Sequence, residues 1–247
     1  MAHIGDHSWH DTLTFRDSVR EQIQSCASLE AAAQSLVETI YREFSDSVVL
    51  ARCFITIPLG TLPARIREFV SELAENKSSA AQLADDTPVL TLLGTCGARD
   101  KWNSRHSSQG HSGIPLISAS FVDSIPMIAR LLKELEVDLN WLSDEEKTGF
   151  TEKEMGGGWV GSFHVRDAAT AVDHQGRKII TAQDFVAQNG IQTVFGLGGI
   201  YPRGALFTLV VFTHEIIEKE RLADFVPLVP LIKVSTSSLL EEGKIFA

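Results

Sequence analysis

Apolar residues recur at three- and four-residue spacing within 18–44: Leu29, Ala32, Ala33, Leu36, Val37, Ile40 and Tyr41 fall on one helical face, and Glu30, Gln34, Glu38 and Arg42 on another. Ser28 has the chemistry of an N-cap. The run 48–57, with Val48, Val49, Leu50, Cys53, Phe54, Ile55 and Ile57, reads as a strand ended by Pro58 and Gly60. Helical spacing returns over 62–73 through Ile66, Phe69, Val70 and Leu73, a polar linker follows at 76–86, and a second strand at 89–93 stops at Gly94 and Gly97. A long apolar stripe over 120–142 predicts one helix, begun or bent at Pro126. Residues 159–165 predict a strand bearing His164, and 181–190 a short helix closed by a glycine C-cap.

The densest signal is Gly190-Ile-Gln-Thr-Val-Phe-Gly-Leu-Gly-Gly-Ile-Tyr-Pro-Arg-Gly-Ala-Leu-Phe-Thr-Leu-Val-Val-Phe-Thr213. Two strand-like runs flank a turn rich in glycine and holding Pro202, so the stretch predicts a hairpin, and its almost unbroken second run predicts a strand covered on both faces. A terminal amphipathic helix over 213–240 is interrupted by Pro227 and Pro230. Strands partly sequential and partly separated by helices predict an α+β fold rather than a regular parallel array.

The chain has 247 residues and 44% hydrophobic content, enough to bury a core without metal or disulfide. Its net charge of -10 disfavours nucleic acid and anionic membrane as partners. Cys26, Cys53 and Cys96 are an odd number set far apart, which fits reduced thiols in the cytoplasm. The N-terminus lacks the apolar core of a signal peptide, and no run approaches eighteen apolar residues, so a soluble, cytoplasmic protein is expected. Residues 1–17 are expected to be a flexible tail, with His3, His7 and His10 incidental rather than metal-binding, and 18–247 a single domain.

The run from Asn189 to Thr213, followed by a helix, resembles the closing half of a GAF domain: short helix, strand opening on Gly-Ile, glycine turn, apolar strand, terminal helix. The helix at 29–44 and the strand at 48–57 occupy the places that family would give them. The resemblance implies a six-stranded antiparallel sheet with helices on one side, a small-molecule pocket on the other, and homodimers through the terminal helices. It also implies a non-enzymatic sensor that signals through a separate protein. A long insert at 98–158 and the two prolines of the last helix depart from that pattern.

The insert opens with a Ser/Gly-rich loop holding Trp102, Arg105, His106 and His111, and long loops of this kind carry function more often than not. Together with Trp159, His164 and Phe195 these residues are expected to line a pocket, and arginine there would favour an anionic ligand. The alternative reading is a metal- or haem-dependent protein or enzyme, in which His106, His111 and His164 face one cavity as ligands of a transition metal or haem. Loop histidines bonded to backbone or water account for them as well. Cys96, just after a strand, could expose a thiolate activated by His106 or His111, although a packed cysteine fits the pattern better. The glycines of 196–204 lack the following helix that a phosphate loop needs. The carboxylates of 144–146 and 152–154 have no partner chemistry around them.

Overall fold

A computed structural model describes residues 3–6, 9–108, 110–137, 160–202 and 204–247. Its centre is a six-stranded antiparallel sheet of β1 (Val48–Pro58), β2 (Pro88–Gly97), β3 (Gly113–Pro115), β4 (Val160–Val165), β5 (Thr193–Ile200) and β6 (Leu206–Thr213), in the order β3-β2-β1-β6-β5-β4. The helices are α1 (Trp9–Gln24), α2 (Leu29–Glu43), α3 (Ala64–Asn76), α4 (Ala119–Asp123), α5 (Pro126–Glu134), α6 (Gln183–Gln188) and α7 (Leu228–Glu241). This is an α+β fold, and the hairpin expected at 190–213 is β5 paired with β6.

Successive strand residues point to opposite faces, so each strand divides its apolar residues between two cores. On β6, Phe207, Leu209 and Val211 join α1, α2 and α7 on one face, while Leu206, Val210 and Phe212 join α4, α5 and α6 on the other. The resemblance implied helices on one side only. Here the second face is covered as well, by short helices that come largely from the stretch expected to be an insert, which also supplies edge strand β3.

Three further expectations are corrected. The tail is not free: α1 begins at Trp9, Phe15, Val19 and Ile23 are buried at four-residue spacing, and the Ile4 N–H donates to Ser47 Oγ at 2.9 Å and to Glu215 Oε1 at 3.0 Å. The single helix over 120–142 is two, because proline lacks an N–H and disfavours helical backbone before it; Ile125 (φ -122°, ψ 88°) is non-helical and Pro126 opens α5. Leu139 and Leu142, the carboxylates of 144–154 and the glycines of 156–158 lie outside the described residues, as does His7. Finally, Lys219–Glu241, which holds an eighteen-residue window of mean hydropathy 1.3, is long and apolar enough by length and composition to cross a membrane. In the structure it is a 3-10 turn, a break at Pro227 and then α7, whose Leu228, Val229, Leu231 and Ile232 are buried in the core that includes α1 and α2.

Helix α2 lies directly on β2. A Cβ on Gly94 would stand 2.4 Å from the Ala33 carbonyl oxygen and 2.7 Å from Gln34 N, so only glycine permits this approach. One residue on, the Gln34 side chain accepts from Thr95 N–H at 3.1 Å and donates back to Thr95 O at 3.1 Å, as a neighbouring strand would. Gly94→Ala must push helix and strand apart, at a cost of about 1–3 kcal/mol or more. We expect its thermal midpoint to fall by at least about 3 °C, and an unchanged melting curve would refute the contact.

Candidate functional site

The second face of the sheet is not completely filled. A cavity of about 450 Å³ lies between β1, the 98–112 loop, the start of α5, and α6 with the residues before it. Strand alternation puts Leu50, Arg52 and Phe54 of β1 on its floor. Arg52 is central in the sheet, in register with Thr95 of β2 and Val210 of β6. A charged residue in a strand whose other residues up to Ile57 are buried is held deep in the molecule, and Arg52, half-buried, lines the cavity. Its Nη2 donates to Ser108 Oγ at 3.0 Å and to the His111 carbonyl at 3.2 Å, and its guanidinium lies 5.2 Å from the Phe54 ring centroid. Among the described residues no carboxylate pairs with it. Burial lowers its pKa to about 10, which leaves it a cation at neutral pH.

An aromatic row rises from beside this floor, since Phe212 of β6 is the register partner of Leu50. Trp102, Phe185 and Phe212 meet edge to face, with centroids 5.6 Å apart in the first pair and 5.5 Å in the second. Arg99 covers Trp102 at 5.1 Å and donates to Asn189 Oδ1 at 2.7 Å, tying the loop to the end of α6, where Gly190 takes the left-handed conformation (φ 59°) expected of its C-cap. Lys101 adds a second exposed cation to the lining, and His111 a polar ring. His111 is held below the ordinary imidazole range by burial and then by the charges of Arg52 and Lys77, so its ring is neutral at pH 7.

Of the seven residues expected at a pocket, Trp102 and His111 line this cavity. His164 and Phe195 are register partners on β4 and β5 whose side chains point to the opposite face; His164 Nε2 sits 2.7 Å from the Ile217 carbonyl and Phe195 is in the core under α1, α2 and α7. His106 and Arg105 turn outward to Glu30, and Trp159 lies outside the described residues. The three histidines therefore do not converge, because β4 presents His164 away from the face on which His111 sits, and no group of three metal-binding side chains occurs among the described residues. Cys96 is buried in the same opposite core, and burial, with the charge of Glu38, raises its thiol to about 11, which leaves it protonated. The residues that matter most and were not expected are Arg52, Phe185 and Phe212. The signal for Arg52 was there to read: it is the one charged residue within the apolar run 48–57.

The loop is fastened on its outer side too. Arg105 Nε and Nη2 donate to the Glu30 carboxylate at 2.5 and 2.7 Å, Ala247 N–H donates to Glu30 Oε2 at 3.0 Å, and Arg105 lies over Phe246 at 5.2 Å. Backbone bonds from Leu29 N to Lys244 O and from Glu30 N to Ile245 O bring the last residues to the start of α2. Burial would raise the Glu30 pKa, but the bonds from Arg105 and Ala247 and the charges of Arg105 and His106 outweigh it and hold it below its ordinary value. A depressed carboxylate stabilises the fold above its unfolded pKa and loses that contribution as pH falls through the folded value. Between about pH 5 and 3 the melting temperature of the wild type should thus fall more steeply than that of Glu30→Gln. Parallel curves over that window would remove Glu30 from this role.

No family model matches the chain, and no curated protein does. Among solved structures it is similar to the GAF domain of an Acinetobacter phosphoenolpyruvate-protein phosphotransferase, at 12% identity over 95% of this chain and 98% of that one, with a TM-score of 0.47. The phycoerythrobilin-bound GAF domain of a cyanobacterial phytochrome aligns at 11% identity over 94% and 97%, with a TM-score of 0.48. The GAF domain of the Coxiella burnetii phosphotransferase aligns at 12% over 96% and 98%, with a TM-score of 0.47. These likenesses concern the fold, which resembles that of GAF domains, and the chemistry of the site comes from this chain's own residues.

Proposed function

We propose that the chain is a sensory module that binds a small anionic organic molecule in this cavity and reports its presence to a separate protein, without catalysing a reaction. The observation that supports this reading is the charge of the lining. Arg52, Arg99 and Lys101 converge there, and among the described lining residues there is no carboxylate, in a chain whose net charge is -10. The overall field of such a protein repels anions, so three cations gathered in one concavity need a local reason. A pocket of about 450 Å³ with apolar walls and few polar groups is the usual form of a small-molecule site. Its charged lining can hold and steer an anion, and the aromatic wall can take an apolar body.

A panel of organic anions and their neutral amides or alcohols, followed by thermal shift, tests this. A ligand at a hundred times its Kd adds about 2.7 kcal/mol to stability, or about 5–10 °C in a chain of this size. The shift is expected from anions, not from the neutral compounds, and is expected to vanish in Arg52→Met. Equal shifts from neutral compounds would overturn the anionic reading. The module is further proposed to act as a cytoplasmic homodimer through its helical face, where Val234 of α7 is an apolar side chain left 81% exposed. Light scattering after size exclusion should give twice the chain mass, and a monomer at tens of micromolar would exclude the dimer.

A further inference from the structure

Resting on the anion-binding reading above, we infer that the ligand class is an aryl carboxylate: a flat aromatic body of two or three rings carrying one carboxylate, with the carboxylate on Arg52 and the rings against Trp102, Phe185 and Phe212. Three observations lead there. The first is the donor set. Arg52 uses only Nη2 on Ser108 and His111, and among the described residues nothing accepts from its Nε or Nη1. A guanidinium is planar and presents its N–H groups as a fork matched to the two oxygens of a carboxylate. Its placement on the cavity floor, with Ser108 and His111 beside it, suits one compact anionic group.

The second observation is the wall. Three aromatic rings in successive edge-to-face contact leave faces and edges against which another flat ring packs by the same offset geometry. The aliphatic residues that complete the box, among them Ile114, Met127, Ile128 and Ile180, offer nothing to a sugar hydroxyl. Of the polar side chains in the lining, Asn189 is engaged by Arg99, Ser108 by Arg52 and Ser107 by backbone carbonyls, and Thr95, Thr181 and Gln188 stand among the apolar residues. A polyhydroxylated phosphate or a nucleotide would find few partners for its many polar groups beside these walls, and an unpaired buried polar group is expensive. The third is size. Benzene fits a cavity of about 150 Å³, so about 450 Å³ has room for two or three fused rings. Lys101 and Arg99, exposed at the mouth, add a field that draws the anion in.

Isothermal titration calorimetry on the whole chain with 1-naphthoate as probe decides the matter, beside 1-naphthamide, cyclohexanecarboxylate, adenosine monophosphate and inorganic phosphate. Naphthoate is expected to bind at least about tenfold more tightly than the amide, since the amide leaves the buried fork without its anion. It should also exceed cyclohexanecarboxylate by about threefold or more through the rings. Arg52→Met should remove naphthoate binding while circular dichroism and the melting curve show a folded chain, and Phe185→Leu should weaken naphthoate more than it weakens cyclohexanecarboxylate. If adenosine monophosphate or phosphate binds in an Arg52-dependent way and naphthoate does not, the aryl class is wrong and the anion site stands. If naphthamide matches naphthoate, or if no anion binds, both the class and the anion site fall.

Discussion

The central strands of this sheet are covered on both faces, and that constraint governs the rest of the chain. Strands β5 and β6 expose no residue, so each face needs its own layer of apolar cover. One face obtains it from three substantial helices, α1, α2 and α7, with α2 held against β2 at Gly94. The other is covered by short helices and a loop, which are shaped less regularly and leave a gap over the middle of β1. The cavity is the unfilled part of the second layer. Its position follows from the division between long and short covering elements.

Arg52 is costly in that position. A charge withdrawn from water without a counter-ion is unfavourable, and two neutral acceptors, a hydroxyl and a carbonyl, satisfy only part of its hydrogen-bonding capacity. A methionine or leucine there would pack against Phe54 and Leu50 at less cost to the empty protein. An anion bound as proposed would offset that expense. The loop that supplies the two acceptors is held from both sides, by Arg105 on Glu30 outside and Arg99 on Asn189 inside, so Arg52 is presented in one orientation.

Much of the architecture could be read from periodicity alone. The strand at 48–57 and the hairpin at 190–213 stand out because buried strands are dense in β-branched and aromatic residues, and the helix at 29–44 because its apolar stripe repeats at 3.6. β3 escaped notice because three residues carry no period, and the first half of α1, taken as tail, because Phe15, Val19 and Ile23 make a stripe only one residue wide among charges. The site was harder. Trp102 and His111 were visible as unusual residues in a loop, whereas Phe185 and Phe212 look like ordinary core residues until the gap beside them is known. His164 was misplaced for a simpler reason: which face a strand residue takes depends on its register with neighbours distant in sequence, and only the pairing with Phe195 reveals it.

That pairing leaves β4 at the margin of the sheet, where a strand ordinarily offers its outer amides and carbonyls to any passing chain. At His164 both are taken by one helix: Glu134 accepts the N–H at 2.8 Å and Arg130 donates to the carbonyl at 2.8 Å, the two side chains themselves bonded at 2.8 Å one turn apart on α5. An ion pair here does the work of a seventh strand. It closes that part of the margin to edge-to-edge association and so guards against fibrillar growth, while anchoring to the sheet the same helix whose first turn borders the cavity.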